Sequence, residues 1–257
     1  MTFCSPTTES YSQISVRDTM YSGSNEEERS GTLYVVATPI GNLEDLTFRA
    51  LKILKNVKFI ACEDTRQTKK LLTAYNLKKE LSSYFQPKEK QKIPQIIQRI
   101  KKGDDVALVS DAGTPGISDP GFPLIREAIN QGIRVIPIPG ASAVTAALSA
   151  AGLPTHRFLF LGFPPPKKAA TKKLLLSLKD ETGTLVFYLP PRRLLSFLFL
   201  AQETLGERQI VYAREMTKIY EEFTRGTPEE LIPSLTKTSY KGEATILIGP
   251  DKLKKKK

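Results

Sequence analysis

Apolar residues in this chain fall into short, unbroken runs, separated by stretches where they recur every three or four positions. The runs at 33–37 (LYVVA), 57–62 (VKFIAC), 106–109 (VALV) and 133–138 (IRVIPI) are rich in Val, Ile and aromatic residues. Their length and composition predict buried strands, with a weaker one at 80–85. Between them, a stripe through Ala50, Leu51 and Leu54 predicts a helix capped by Thr47. Thr65 is expected to cap a second helix carrying Leu71, Leu72 and Tyr75, and a third is expected around Ile93 to Ile100. Ser118, Asp119 and Pro120 read as a cap and a first-turn proline for a fourth, through Leu124, Ile125, Ala128 and Ile129. Alternation of strand and helix in this manner predicts a parallel α/β sheet.

The second half continues in the same style. Strands are expected at 158–163, 184–189, 210–213 and 244–248, and helices at 172–178, through Leu195, Leu198 and Leu205, and at 229–235. The fold class is therefore α/β in two domains, 31–138 and 139–250, with Pro139-Gly140 as the expected hinge. Residues 1–30 are polar and lack an apolar period, which predicts a disordered extension. Residues 251–257 (DKLKKKK) form a lysine-rich tail.

The strand at 106–109 opens into SDAGTPGISDPG, residues 110–121. In an open parallel sheet, such strand-end loops line the ligand crevice. Small residues let a ligand approach the backbone, and Asp111 or Asp119 adds a carboxylate. A tight turn whose glycines serve only geometry fits the same spacing, since the loop matches neither a P-loop nor GxGxxG.

Charge and composition narrow the function. The net charge is +11, but residues 1–30 carry five acidic and two basic side chains, leaving +14 on the rest. That surplus suits a polyanion, of which nucleic acid is the commonest. Two cysteines, Cys4 and Cys62, exclude a disulfide framework or a Cys-rich zinc site, and no metal is expected. The single histidine, His156, is expected in a loop. No apolar run reaches the roughly 18 residues of a membrane helix, and the first 30 lack a signal-peptide core, so a soluble cytoplasmic protein without a membrane partner is expected.

Three segments, LYVVATPIGNL (33–43), EDTR (63–66) and SDAGTPGISDPG (110–121), together resemble the ribosomal RNA small subunit methyltransferase I family, of the tetrapyrrole methylase fold. GLP (152–154), RF (157–158), REMTK (214–218) and KGE (241–243) match further, and the resemblance spans about residues 31–250. It implies two α/β/α domains with S-adenosylmethionine in the cleft between them, a homodimer, and 2′-O-methylation of a cytidine ribose in the 16S rRNA of the small ribosomal subunit. It also implies that Pro39, Asp111, Gly113, Thr114 and Ile117 line the donor from the first domain. Ser142 and Ala143 would hold it at the junction, with Tyr188, Met216 and Ala244 nearby. The chain departs from the family's usual residues at Gln67, Phe85, Leu189 and Arg192.

A ribose hydroxyl is a poor nucleophile when neutral. Glu63 and Asp64 follow a buried strand and are candidates to accept its proton, while Arg66 is a candidate to hold a phosphate. For each of the three, a helix start with an exposed ion pair fits equally. Lys167, Lys168, Lys172, Lys173, Arg192 and Arg193 are the candidates for the RNA backbone, or else a solvated basic face. A tetrapyrrole-precursor methylase of the same fold and a non-catalytic ribosome-assembly factor are the alternative readings.

Overall fold

The structure, a computed structural model, describes residues 30–84, 89–236 and 241–251. All but the last residue of the expected N-terminal extension, the tail beyond Asp251, and Phe85, Gln86 and Pro87 lie outside the described residues.

Five parallel strands make the first sheet: β1 (Thr32–Val36), β2 (Phe59–Cys62), β3 (Glu80–Ser83), β4 (Val106–Val109) and β5 (Arg134–Ile138), in the order β3-β2-β4-β1-β5. Leu33 pairs with Val106 on one side and with Val135 on the other. Side chains alternate across the pleat. Leu33, Phe59, Val106 and Leu108 therefore reach one face, and Val36, Ile60, Ala107 and Val109 the other. Helices α1 (Phe48–Asn56) and α2 (Thr65–Ala74) bury Ala50, Leu54 and Leu72 on the second of these faces. Helices α3 (Glu89–Lys101) and α4 (Phe122–Asn130) cover the first with Ile96, Ile100, Leu124 and Ala128. The connections leaving the neighbours β1 and β4 thus run to opposite faces, and a crevice opens at their carboxyl ends.

The second sheet contains β6 (Phe158–Phe160), β7 (Thr184–Tyr188), β8 (Ile210–Arg214), β9 (Glu222–Gly226) and β10 (Ala244–Ile248), in the order β6-β7-β10-β8-β9. Helix α5 (Ala143–Ala151) lays Val144, Ala147, Leu148 and Ala151 on one face, against Val186, Val211 and Leu247. Helices α6 (Lys168–Ser177), α7 (Leu194–Leu205) and α8 (Pro228–Leu235) pack on the other, around Phe187, Tyr212 and Ile246. Both units are therefore helix–sheet–helix sandwiches.

Three expectations need correction. The second sheet is mixed: only β6 and β7 run parallel, and the other three pairings are antiparallel. Its β9 (EFTRG) carries no apolar run, because it is a half-exposed edge strand with one paired side. Helix α2 is capped by Asp64, whose side chain accepts from Arg66 N, and Thr65 is already helical. Helix α4 begins at Phe122 with Gly121 as its cap and Pro123 in its first turn. Residues 118–120 are held in the preceding loop instead. Ser118 is left-handed there (φ 66°), and Gly121 approaches Gly116 so closely that a Cβ would lie 3.0 Å from its amide nitrogen.

Candidate active site

The loops leaving β1 and β4 are stitched together. Thr38 and Gly113 exchange backbone hydrogen bonds of 2.9 and 3.0 Å, and Thr38 Oγ1 donates to the Ser110 carbonyl at 3.2 Å. Thr114 Oγ1 donates to the Ala141 carbonyl at 3.3 Å, tying the second loop to the approach of α5. Opposite stand Tyr188 at the end of β7, Glu215, Met216 and Lys218 after β8, and the start of β10. These elements enclose a cavity of about 390 Å³, within the roughly 300–1,000 Å³ of small-molecule sites. Of the ten residues expected at a cofactor, nine line it: Asp111, Gly113, Thr114, Ile117, Ser142, Ala143, Tyr188, Met216 and Ala244. Pro39 does not, although the adjacent Ile40 does.

A second chamber, of about 680 Å³, adjoins the first. Glu63, Asp64, Thr65, Arg66, Ser83 and the 118–120 segment line it, and Glu63, Asp111 and Asp119 belong to both chambers. Burial raises the Glu63 carboxyl above its ordinary range, and the charges of Asp111 and Asp119 raise it further. Asp119 is raised by burial against an opposing hydrogen bond from Ser110. Asp111 is raised mainly by burial, although its Oδ1 accepts the Asp64 N–H at 3.0 Å. Burial, with Asp119 nearby, pushes the Tyr188 phenol up to about 12.

Asp64 and Arg66 are engaged with one another. The Arg66 guanidinium makes a fork on the Asp64 carboxylate, with Nη2 at 2.9 Å from Oδ2 and Nε at 3.2 Å from both oxygens. These bonds hold the Asp64 carboxyl below its usual range. Glu63 and Asp64 are equal candidates in sequence but differ in charge environment: Asp64 is forked by Arg66, whereas Glu63 stands against Asp111 and Asp119.

Glu215, Lys218 and Glu243 line the first cavity without having been singled out for a role; they lie in segments whose chemistry depends on a fold-back invisible in sequence. Glu215 and Thr217 are left-handed (φ 50° and 67°). Glu215 Oε1 accepts the Glu243 N–H at 2.9 Å and Lys218 Nζ at 3.1 Å, and Nζ reaches Glu243 Oε2 at 2.9 Å. Across the cleft, a Cβ at Gly41 would lie 2.5 Å from Lys218 Cγ, so that glycine permits the two loops to touch.

The basic candidates divide. Lys167, Lys168, Lys173 and Arg192 are exposed. Lys172 pairs with Glu203. Arg193 is half-buried and donates to the Pro164 carbonyl at 2.8 Å, to the Pro165 carbonyl and to Thr171 Oγ1 at 3.1 Å, so it braces the proline loop. Of the six, Arg193 is thus the one whose guanidinium is committed to bonds within the fold. His156 is exposed in the approach to β6. Cys62 is fully buried, and desolvation pushes its thiol up to about 11. Among the described residues no group of three or more His, Cys, Asp or Glu is placed to hold a metal, and no helix is long and apolar enough to cross a membrane.

The family described as Tetrapyrrole (Corrin/Porphyrin) Methylases matches residues 32–232. A protein of Halalkalibacterium halodurans named ribosomal RNA small subunit methyltransferase I is 47% identical over 223 residues, covering 87% of this chain and 77% of its own. Its namesake in Hydrogenobaculum sp. is 48% identical over 223 residues, covering 85% and 96%. Among solved structures, the cobalamin biosynthetic enzyme cobalt precorrin-4 methyltransferase superposes with a TM-score of 0.65 over 85% of this chain and 94% of its own. At 18% identity it shares the fold. The chain belongs to the tetrapyrrole methylase family, among its ribosomal RNA small subunit methyltransferase I members.

Proposed function

We propose that the chain transfers a methyl group from S-adenosylmethionine to the ribose 2′-oxygen of a cytidine in the 16S rRNA of the small ribosomal subunit. The observation that carries this reading is the pair of joined chambers meeting at Glu63, Asp111 and Asp119. The names of relatives 45–48% identical supply the RNA.

The first chamber fits the donor. Ile40, Ile117, Ala143 and Met216 offer apolar surface to an adenine, and the carboxylates of Glu63, Asp111 and Asp119 suit a sulfonium and an ammonium. Helix α5 starts at this cavity, and its N-cap Ser142 makes no side-chain capping bond. Its first amides therefore suit the donor's carboxylate. When bound, the donor supplies an electrophilic methyl, so the chain has to align the acceptor and take up one proton.

The second chamber is the acceptor side. Glu63 is assigned as proton acceptor: it faces both chambers, and its raised affinity for a proton suits a base. Asp64 is held low by Arg66 and caps α2, so it serves as a positioning residue. Among the described residues, the thiol that a cysteine-dependent attack on a base carbon would need is Cys62, which is buried and held protonated. The carboxylates at the junction also disfavour a polycarboxylate tetrapyrrole, whereas a ribose is neutral. We place the division between the two units after Ile138, where the first sheet ends and the chain turns into α5.

The test is incubation with labelled donor and small subunits lacking the modification, followed by mapping of the label. Label on one cytidine ribose is expected. Label on a tetrapyrrole precursor and none on RNA would overturn the proposal.

A further inference from the structure

Two loops, one from each sheet unit, touch where Gly41 meets Lys218, and both lead from the cavity to large exposed apolar side chains. The loop after β1 contributes Ile40 to the cavity and runs into α1, whose first residue, Phe48, is 91% exposed. The loop after β8 contributes Met216 and Lys218 to the cavity, and two residues later Tyr220 is 72% exposed, beside Ile219 at 89%.

The second loop is held tightly. The Lys218 N–H donates to the Glu215 carbonyl at 3.0 Å and the Glu221 N–H to the Lys218 carbonyl at 3.1 Å. The Thr217 N–H donates to Glu221 Oε2 at 2.6 Å. Ile219 and Tyr220 are thereby fixed at the tip of a closed turn, and the turn is anchored to the cavity wall through Lys218. On the other loop, α1 shows Arg49, Lys52 and Lys55 to solvent, and no ion pair among the described residues involves them. Phe48, Lys52 and Lys55 stand at i, i+4 and i+7, on one face of the helix. Glu44 and Asp45 are the acidic residues on this side, in the turn before α1.

Resting on the function proposed above, we propose that Phe48, Ile219 and Tyr220, with Arg49, Lys52 and Lys55, form a platform for an unpaired stretch of the RNA substrate at the mouth of the site. Exposed rings interleaved with free cations are what single-stranded nucleic acid uses, bases on the aromatic faces and phosphates on the charges. A protein-binding patch concentrates apolar residues and excludes charge from its centre, whereas here a cation stands at every turn of α1. The platform also resolves a conflict in the site: the acidic second chamber repels phosphate, so the backbone flanking the target must be held outside it.

The full chain is assayed with unmethylated small subunits. Phe48→Ala and Tyr220→Ala are each expected to raise KM for the subunit about fivefold or more, with kcat and donor affinity unchanged. Phe48→Tyr and Tyr220→Phe should restore KM. Arg49→Gln combined with Lys52→Gln should flatten the log–log salt dependence of binding by about 1.4, at roughly 0.7 per phosphate contact. Fluorescence anisotropy of an unpaired RNA oligonucleotide gives a readout independent of methyl transfer, and it should weaken by the same factors. Normal oligonucleotide binding and normal KM in the alanine variants would overturn the platform while leaving methylation intact. A KM that tracks loss of a dimer in light scattering would also overturn it, and would assign the patch to a second copy of the chain.

Discussion

Glu63→Gln tests the assignment of the proton acceptor most sharply, because it keeps the side chain's shape and removes its ability to take a proton. Positioned acid–base groups contribute about 10²- to 10⁴-fold, which is roughly 3–5 kcal/mol of barrier at 1.36 kcal/mol per tenfold. Asp111 and Asp119 share the junction with Glu63 and remain as substitute acceptors, so the loss is expected near the lower end, about 100-fold. The assay is single-turnover methyl transfer at saturating donor and subunit, with donor affinity measured separately by calorimetry and expected to stay at the wild-type value. Asp64→Asn should cost far less activity, since asparagine caps a helix as well as aspartate does.

The pH dependence gives an independent sign. Burial and the charges of Asp111 and Asp119 raise the Glu63 carboxyl in the folded protein. The wild-type rate should therefore fall as pH drops through that raised value, and Gln should remove this limb. For stability, the folded state holds the Glu63 proton more tightly than the unfolded state does. The stabilisation this gives is complete below the unfolded pKa and lost as pH rises through the folded one. At neutral pH the ionised Glu63 opposes folding of the ligand-free protein, so Glu63→Gln should raise Tm at pH 7 and give a smaller gain near pH 4. An unaltered rate, or a Tm lowered at pH 7, would refute the assignment.

Gly113 has φ 83°, where a β-branched residue is a genuine outlier. Gly113→Val should abolish donor binding in calorimetry while circular dichroism stays near wild type; retained affinity would place the donor elsewhere. Arg192→Gln should weaken RNA binding in a salt-dependent way and leave Tm alone. Arg193→Gln should lower Tm through the freed Pro164 and Pro165 carbonyls, and equal behaviour of the two variants would contradict the bracing role. Tyr84 is fully buried and its hydroxyl accepts the Leu124 N–H at 3.1 Å. Tyr84→Phe should cost about 1–3 kcal/mol in urea unfolding, and an unchanged midpoint would count against that bond. A small subunit carrying a 2′-deoxy nucleotide at the mapped target should take up no methyl there, and label retained on it would move the acceptor to the base.

The parts of the fold legible in the sequence were those where one residue's neighbours decide its state. VALV, FIAC and LYVV are buried on both faces, so they read as unbroken apolar runs. EFTRG did not, because β9 owes its state to Ile210–Arg214 beside it rather than to its own composition. The SDP at 118–120 has the chemistry of a helix cap, yet the close approach of Gly116 and Gly121 turns those residues into the loop and sends Asp119 to the junction of the chambers. Long-range pairing hid the rest. Arg193 is bound by carbonyls 28 and 29 residues away, and Lys172 by a glutamate 31 away, so both looked as free as Lys173.

The charge of this protein makes sense only when divided between surface and interior. The body outside residues 1–30 carries +14, yet the two chambers meet at three carboxylates. A uniformly basic cleft would draw RNA phosphate into the space the donor's sulfonium needs. On the proposed function, an acidic junction would draw the cationic donor and exclude phosphate, while the basic exterior would concentrate RNA around it. A ribose is the neutral part of the polymer, so it is the part that can approach the junction without a charge penalty. Burial raises the Glu63 carboxyl, and the carboxylates crowded beside it raise it further, which makes it a better proton acceptor. On this proposal, donor selection, phosphate exclusion and proton uptake thus rest on one arrangement, which is why substitution of Glu63 should move rate, pH profile and stability together.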